Sequence, residues 1–137
     1  MQKTEIQSLG RSLRPIDRKL LDRDREAGKE RIWYQGGELY FDLFVDLRHD
    51  EIEWFQLTLR GRSISWHCQD KQWQTGRTNE FRSDDMTFYS ASKIVESDRQ
   101  CDREFFDLAG EIVGTRKGEA LFDKLSQLFQ TTRTKMF

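Results

Sequence analysis

The sequence predicts an α+β domain. It is an antiparallel β-meander of four to five strands with C-terminal helices packed on one face, a two-layer sandwich, plus an N-terminal surface helix. Three observations predict it. Residues 30–69 alternate apolar and polar side chains between turn-forming breaks. Residues 97–130 switch to helical spacing. The apolar side of each region then needs a cover, and each covers the other.

The totals agree with one domain. A chain of 137 residues suffices for a single core. Its 4 Trp, 3 Tyr and 10 Phe supply the burial that offsets chain entropy, which argues against disorder. The net charge of −1 gives no global attraction to nucleic acid or to an anionic membrane.

Residues 1–13 lack periodicity and read as a loose tail, which leaves 14–137 as the domain. "RPIDRKLLDRDREAGK" reads as a surface helix. Pro15 suits its first position, Asp17 its positive end, and Gly28 its stop. Its apolar stripe (Leu13, Ile16, Leu20, Leu21) is thin.

Four strands follow. A two-residue turn at Gly36-Gly37 sets Tyr34 opposite Leu39, Trp33 opposite Tyr40 and Arg31 opposite Asp42. Leu39, Phe41, Leu43, Val45 and Leu47 then share a face. An odd loop at His49-Asp50-Glu51 keeps Phe55, Leu57 and Leu59 on that face, because a one-residue slip exchanges the two sides of a strand. A Gly61-Arg62 turn pairs Leu59 with Ile64, Leu57 with Trp66 and Phe55 with Cys68. Three independent turns agree on one apolar face.

Residues 70–83 read as a polar excursion loop carrying the lone aromatics Trp73 and Phe81, and residues 86–95 as a fifth strand. Ser97 and Gln100 form a capping box at the start of a helix whose stripe is Phe105, Leu108, Ala109, Ile112 and Val113, with Gly114 as its stop. A second helix carries Leu121, Phe122, Leu125, Leu128 and Phe129.

Signatures of catalysis are absent: no G-x-S-x-G, phosphate loop, H-E-x-x-H, C-x-x-C or dinucleotide fingerprint. Strand alternation turns His67 and Cys68 to opposite faces, so they do not share a metal. His49 sits at a hairpin tip. Asp46, Asp50, Glu51 and Glu53 cluster there and read as guards of a sheet edge rather than as a Mg²⁺ or Ca²⁺ site. No cofactor or metal is expected. Two cysteines without motif spacing, no leader-like segment and no spanning run predict free thiols in a cytoplasmic setting.

The candidate site is the opposite face of the sheet: Trp33, Tyr40, Asp42, Phe44, Trp54, Gln56, Thr58, Ser65 and His67. Asp42, Thr58 and Ser65 form one cross-strand row, Phe44, Gln56 and His67 the next, Asp46, Trp54 and Gln69 the third. Large aromatics do not belong on a fully wet face, so something covers them: this chain's own segments, a protein or second copy, or a stacked ligand. Asp42 and Asp46 repel phosphate, which counts against nucleic acid. The expected function is a small binding domain for a protein partner or for itself. The alternative is a ligand-binding or enzymatic pocket with His67 as acid or base. Weaker still is nucleic-acid binding through Arg11, Arg14, Arg18 and Lys19.

Overall fold

Alternation of side chains does produce the sheet, and the computed structural model describes residues 1–16, 23–24, 28–78 and 95–136. Helix α1 (Lys3–Ser12) comes first. The short strands β1 (Arg14–Pro15) and β2 (Arg23–Asp24) lie along one edge of β3 (Lys29–Gln35). Then β4 (Asp42–Arg48), β5 (Glu51–Leu59), β6 (Arg62–His67), β7 (Gln72–Thr78) and the short β8 (Val95–Ser97) follow in spatial as in chain order, every pair antiparallel. Helices α2 (Arg103–Gly114) and α3 (Ala120–Met136) complete the chain.

All three helices cover the same side of the sheet. Phe41, Leu43, Val45, Phe55, Leu57 and Ile64 share one buried cluster with Ile6 and Leu9 of α1, Phe106 and Ile112 of α2, and Phe122 and Leu125 of α3. Each such side chain contributes about 1.5–3 kcal/mol by leaving water. Helix α3 spans the layer. Phe122 meets Tyr34 edge-on at 5.0 Å, and Phe129 packs 4.6 Å from Trp73 and 5.8 Å from Phe55.

Several expectations are corrected. The β3–β4 connection runs from Gly36 to Phe41, and Trp33 pairs with Phe44 and Arg31 with Asp46. The turn is longer than two residues because Phe41 folds into the core and its carbonyl accepts from the Gly36 N–H at 2.7 Å. Leu39 therefore stands outside the strand, 81% exposed. At the β5–β6 hairpin the turn residues are Arg60 and Gly61, with φ of 50° and 81°, so Leu57 pairs with Ile64 and Phe55 with Trp66. Both errors are even-numbered slips, and even slips preserve the face.

At the β4–β5 tip the parity is kept by a bulge. His49 and Asp50 form a two-residue turn with φ of 51° and 66°. Leu47 then pairs with Ile52 but Asp46 with Trp54, which leaves Glu53 as the extra residue. Its carbonyl accepts from the Cys68 N–H at 2.8 Å. The expected loop of odd length is replaced by an even turn plus one bulged residue, with the same result for Phe55.

Residues 72–78 form strand β7 where a loop was expected. Its inward side carries Trp73 and Thr75, both buried, so polar threonine hid the alternation. The region expected as a fifth strand lies mostly outside the described residues, as does Phe81; its last residue, Val95, belongs to β8. Ser97 also belongs to β8, so the capping box is not formed. Asp102 caps α2 instead, accepting from the Phe105 N–H at 3.2 Å.

The N-terminal helix exists, but a dozen residues early. Residues 3–12 are helical rather than a loose tail, because Ile6, Leu9 and Leu13 dock into the core. Gly10 permits the contact with α2: a Cβ there would lie 1.7 Å from Thr115 Oγ1 and 2.8 Å from the Ile112 carbonyl. Of the helix expected after Arg14, Arg14–Pro15 and Arg23–Asp24 are strand and residues 17–22 and 25–27 lie outside the described residues.

Candidate functional site

The far side of the sheet divides into a closed end and an open end. At the closed end Asp42 is 2% exposed, Thr58 2%, Ser63 3% and Phe44 5%. Trp33 stacks on Phe44 at 5.4 Å with 13° between planes, and its Nε1–H donates to Asp42 Oδ1 at 3.0 Å. Thr58 Oγ1 donates to the Tyr40 carbonyl at 3.1 Å. Tyr40 is not opposite Trp33; it lies in the β3–β4 connection with φ of 61°. These groups hold one another: Phe44 is buried, and Trp33 and Tyr40 are half-buried against it and its neighbours.

The rows also move. Ser63, not Ser65, completes the row of Asp42 and Thr58. Phe44, Gln56 and Ser65 continue to Gln74, and Asp46, Trp54 and His67 continue to Gln72. The two-residue slip at the β5–β6 turn moves every β6 partner, and β7 adds a column.

The open end is built around Trp54. Its indole is half-buried and lies against the Arg31 guanidinium, 5.4 Å from the ring. Arg31 is itself held by a two-pronged pair with Asp46, at 2.7 and 3.0 Å. Gln56, Ser65 and His67 are half-buried beside it. His67 Nδ1 accepts the Gln69 N–H at 3.1 Å, a bond that does not involve Nε2.

Trp54, Ser65 and His67 border a pocket of about 470 Å³ that continues past Gln72 and Gln74 to Asp98, Arg99 and Cys101. Its floor is rigid. Arg62 Nη2 donates to Asp98 at 3.3 Å and to Asp102, and Thr75 Oγ1 donates to Asp98 at 2.7 Å. Thr75 Oγ1 also accepts the Asp102 N–H at 2.7 Å. Burial, and then the Asp102 charge, push the Cys101 thiol up, which disfavours the nucleophilic thiolate. Cys68 and Cys101 are both free.

Of the nine expected site residues, Trp54, Ser65 and His67 line the pocket, Gln56 adjoins them, and Trp33, Tyr40, Asp42, Phe44 and Thr58 form the closed end. Gln72, Gln74, Asp98 and Arg99 were not anticipated. The single Q-W-Q-T stretch at 72–75 was the available signal for the first two; the last two arrive through long-range topology alone. The acidic tip is partly neutralised, with Asp46 on Arg31 and Glu53 on Arg48. Among the described residues, no three His, Cys, Asp or Glu side chains come together to hold a metal ion. No helix among them is long and apolar enough to cross a membrane. Arg11 and Arg14 are exposed, and Arg18 and Lys19 lie outside the described residues. The chain matches no protein-family model, no curated protein and no solved structure.

Proposed function

We propose that this chain is a binding domain for a protein partner, and that its contact surface is the open end of the far sheet face. The observation that carries this reading is Trp54. A half-buried indole, fixed by Arg31 and Asp46, borders a polar pocket of about 470 Å³. Aromatic anchors held in place before contact lose little entropy on binding, and such residues dominate interface energies. The closed end supplies the rigid backing and takes no part in contact.

The test is site-specific photocrosslinking in living host cells. A benzoylphenylalanine at Gln56 or Gln74 is expected to give a discrete adduct that disappears with Trp54→Ala. The same probe at Gln127, on the exposed side of α3, serves as control. An adduct of twice the chain mass identifies a second copy as the partner. Absence of adducts, or adducts indifferent to Trp54→Ala, overturns the reading.

A second reading rests on His67, which lines a polar pocket with its Nδ1 already engaged by the Gln69 N–H. It is a small hydrogen-bonding ligand in place of a protein. Tryptophan fluorescence against a metabolite panel, compared between wild type and His67→Ala, distinguishes the two. No metabolite response removes this reading.

A further inference from the structure

Strand β7 is longer than the strand that covers it. Strand β8 pairs with Gly76, Arg77 and Thr78 only. In antiparallel strands the N–H and C=O of one residue point to the same side, and successive residues alternate. The Thr78 N–H donates to the Gly61 carbonyl at 2.9 Å, so the even-numbered residues of β7 face β6. The Thr75 carbonyl accepts the Asp98 N–H at 2.9 Å, so the odd-numbered residues face away. Trp73 is therefore directed outward as well. Its ladder partner Trp66 stands opposite it in a pair that exchanges no backbone hydrogen bonds.

Beyond Asp98 the chain leaves the sheet. The Asp102 N–H turns to the Thr75 side chain, and α2 begins at Arg103. Among the described residues no strand lies beside Trp73, and the pocket sits against that stretch, lined by Gln72, Trp73, Gln74 and Thr75 on one side and by Asp98 and Arg99 on the other. The indole of Trp73 is committed elsewhere: Nε1–H donates to Thr132 Oγ1 at 2.7 Å, and the ring packs on Phe106 at 4.9 Å. The outward backbone is the part of Trp73 left for a partner at the pocket.

We infer that the pocket takes an extended polypeptide segment, which adds to the edge of β7 at Trp73, where no described strand lies, and continues the line of β8. This rests on the protein-binding reading above and names its mode. An outward N–H and C=O on one residue match the backbone of a β-strand. The pocket walls carry three neutral amides, Gln69, Gln72 and Gln74, and the carboxylates of Asp70 and Asp98 oppose phosphate-bearing ligands. The charges also set a direction. Exposed Asp70 stands at the start of β7 and exposed Arg99 beside Thr75. A strand antiparallel to β7 places an acidic residue near its N-terminus against Arg99 and a basic residue near its C-terminus against Asp70.

The probe is the peptide acetyl-Glu-Val-Thr-Val-Lys-amide, with its charge-swapped counterpart acetyl-Lys-Val-Thr-Val-Glu-amide. Backbone amide exchange at Trp73 and the fluorescence of Trp54 are read together on the full chain. The first peptide is expected to slow Trp73 exchange roughly tenfold or more at saturation, and the swapped peptide to bind more weakly. N-methylation of one alternate set of peptide residues is expected to abolish binding, and of the other set to leave it intact. A peptide that binds and changes Trp54 fluorescence without protecting Trp73 overturns strand addition but leaves the protein-binding reading standing. Equal tolerance of N-methylation at both sets overturns it, and so does failure of both peptides to bind; the crosslinking experiment then decides separately whether Trp54 contacts a protein.

Discussion

Arg116 Nη1 donates to the Gly10 carbonyl at 3.0 Å, joining residues 106 positions apart. The same nitrogen donates to the Leu13 carbonyl at 2.6 Å. One side chain thus satisfies two carbonyls at the end of α1, a place where a helix leaves acceptors without partners. Its guanidinium also lies 4.7 Å from the Phe122 ring centroid. Arg116→Ala is expected to lower stability by about 1.5–3 kcal/mol, the range for hydrogen bonds to a charged group. Denaturant unfolding measures it. Amide exchange in residues 3–12 should accelerate more than elsewhere, and uniform acceleration would show that the clamp does not act locally.

Glu119 completes that clamp, with Arg116 Nη2 donating to Oε1 at 2.8 Å. The hydrogen bond from Arg116 holds the Glu119 carboxyl below its ordinary range. The folded chain therefore binds this proton less readily than the unfolded chain. The contribution is present above the ordinary glutamate pKa, about 4.3, and fades as pH falls through the lowered folded value. Glu119 is 47% exposed, so solvent screening keeps the effect below about 1 kcal/mol. Glu119→Gln is expected to unfold at lower urea at pH 7 and to lose less on acidification. Parallel pH profiles for the two proteins would rule out the linkage.

Phe44 and Trp54 face the same side of the sheet with opposite consequences. Phe44 is 5% exposed and stacked on Trp33. Phe44→Ala should cost about 3–5 kcal/mol by leaving a cavity. Trp54→Ala should leave the fold intact, with a change of about 1 kcal/mol, since its indole is only half-buried. Thermal unfolding of both variants reads the contrast, and equal losses would mean that the two aromatics belong to one continuous core.

The tip of the β4–β5 hairpin carries two non-glycine residues at positive φ, His49 and Asp50. Asn-Gly is the pair such turns prefer. The double change His49→Asn, Asp50→Gly should raise stability by about 1 kcal/mol through relief of backbone strain. The Lys124 Nζ bond to the Asp50 carbonyl uses only backbone at that site and survives the change. A lowered melting temperature would show that the side chains matter more than the turn.

The sequence carried the faces of the sheet better than its turns. The side-chain period of a strand is two, so the misplaced turns at Gly36 and Gly61 still sent Leu43, Leu57 and Ile64 inward. Strand β7 escaped because Thr75 does the inward work that an apolar residue does elsewhere, and little apolar alternation remained to read. Helix α1 escaped because three inward residues across one short helix fall below any periodic signal. The open end of the site was half legible. Trp54 and His67 belonged to the anticipated face, whereas Asp98 and Arg99 reach the pocket only because β8 ends where it does.

The tie between Arg116 and α1 also orders events on the ribosome. Helix α1 is synthesised before the side chain that closes its end, which follows 106 residues later. At bacterial or eukaryotic elongation speeds that is a delay of roughly 5–20 s. Ile6, Leu9 and Leu13 must wait through that interval as an undocked apolar stripe. The nascent chain therefore offers a chaperone binding segment in α1, one that vanishes when α2 arrives.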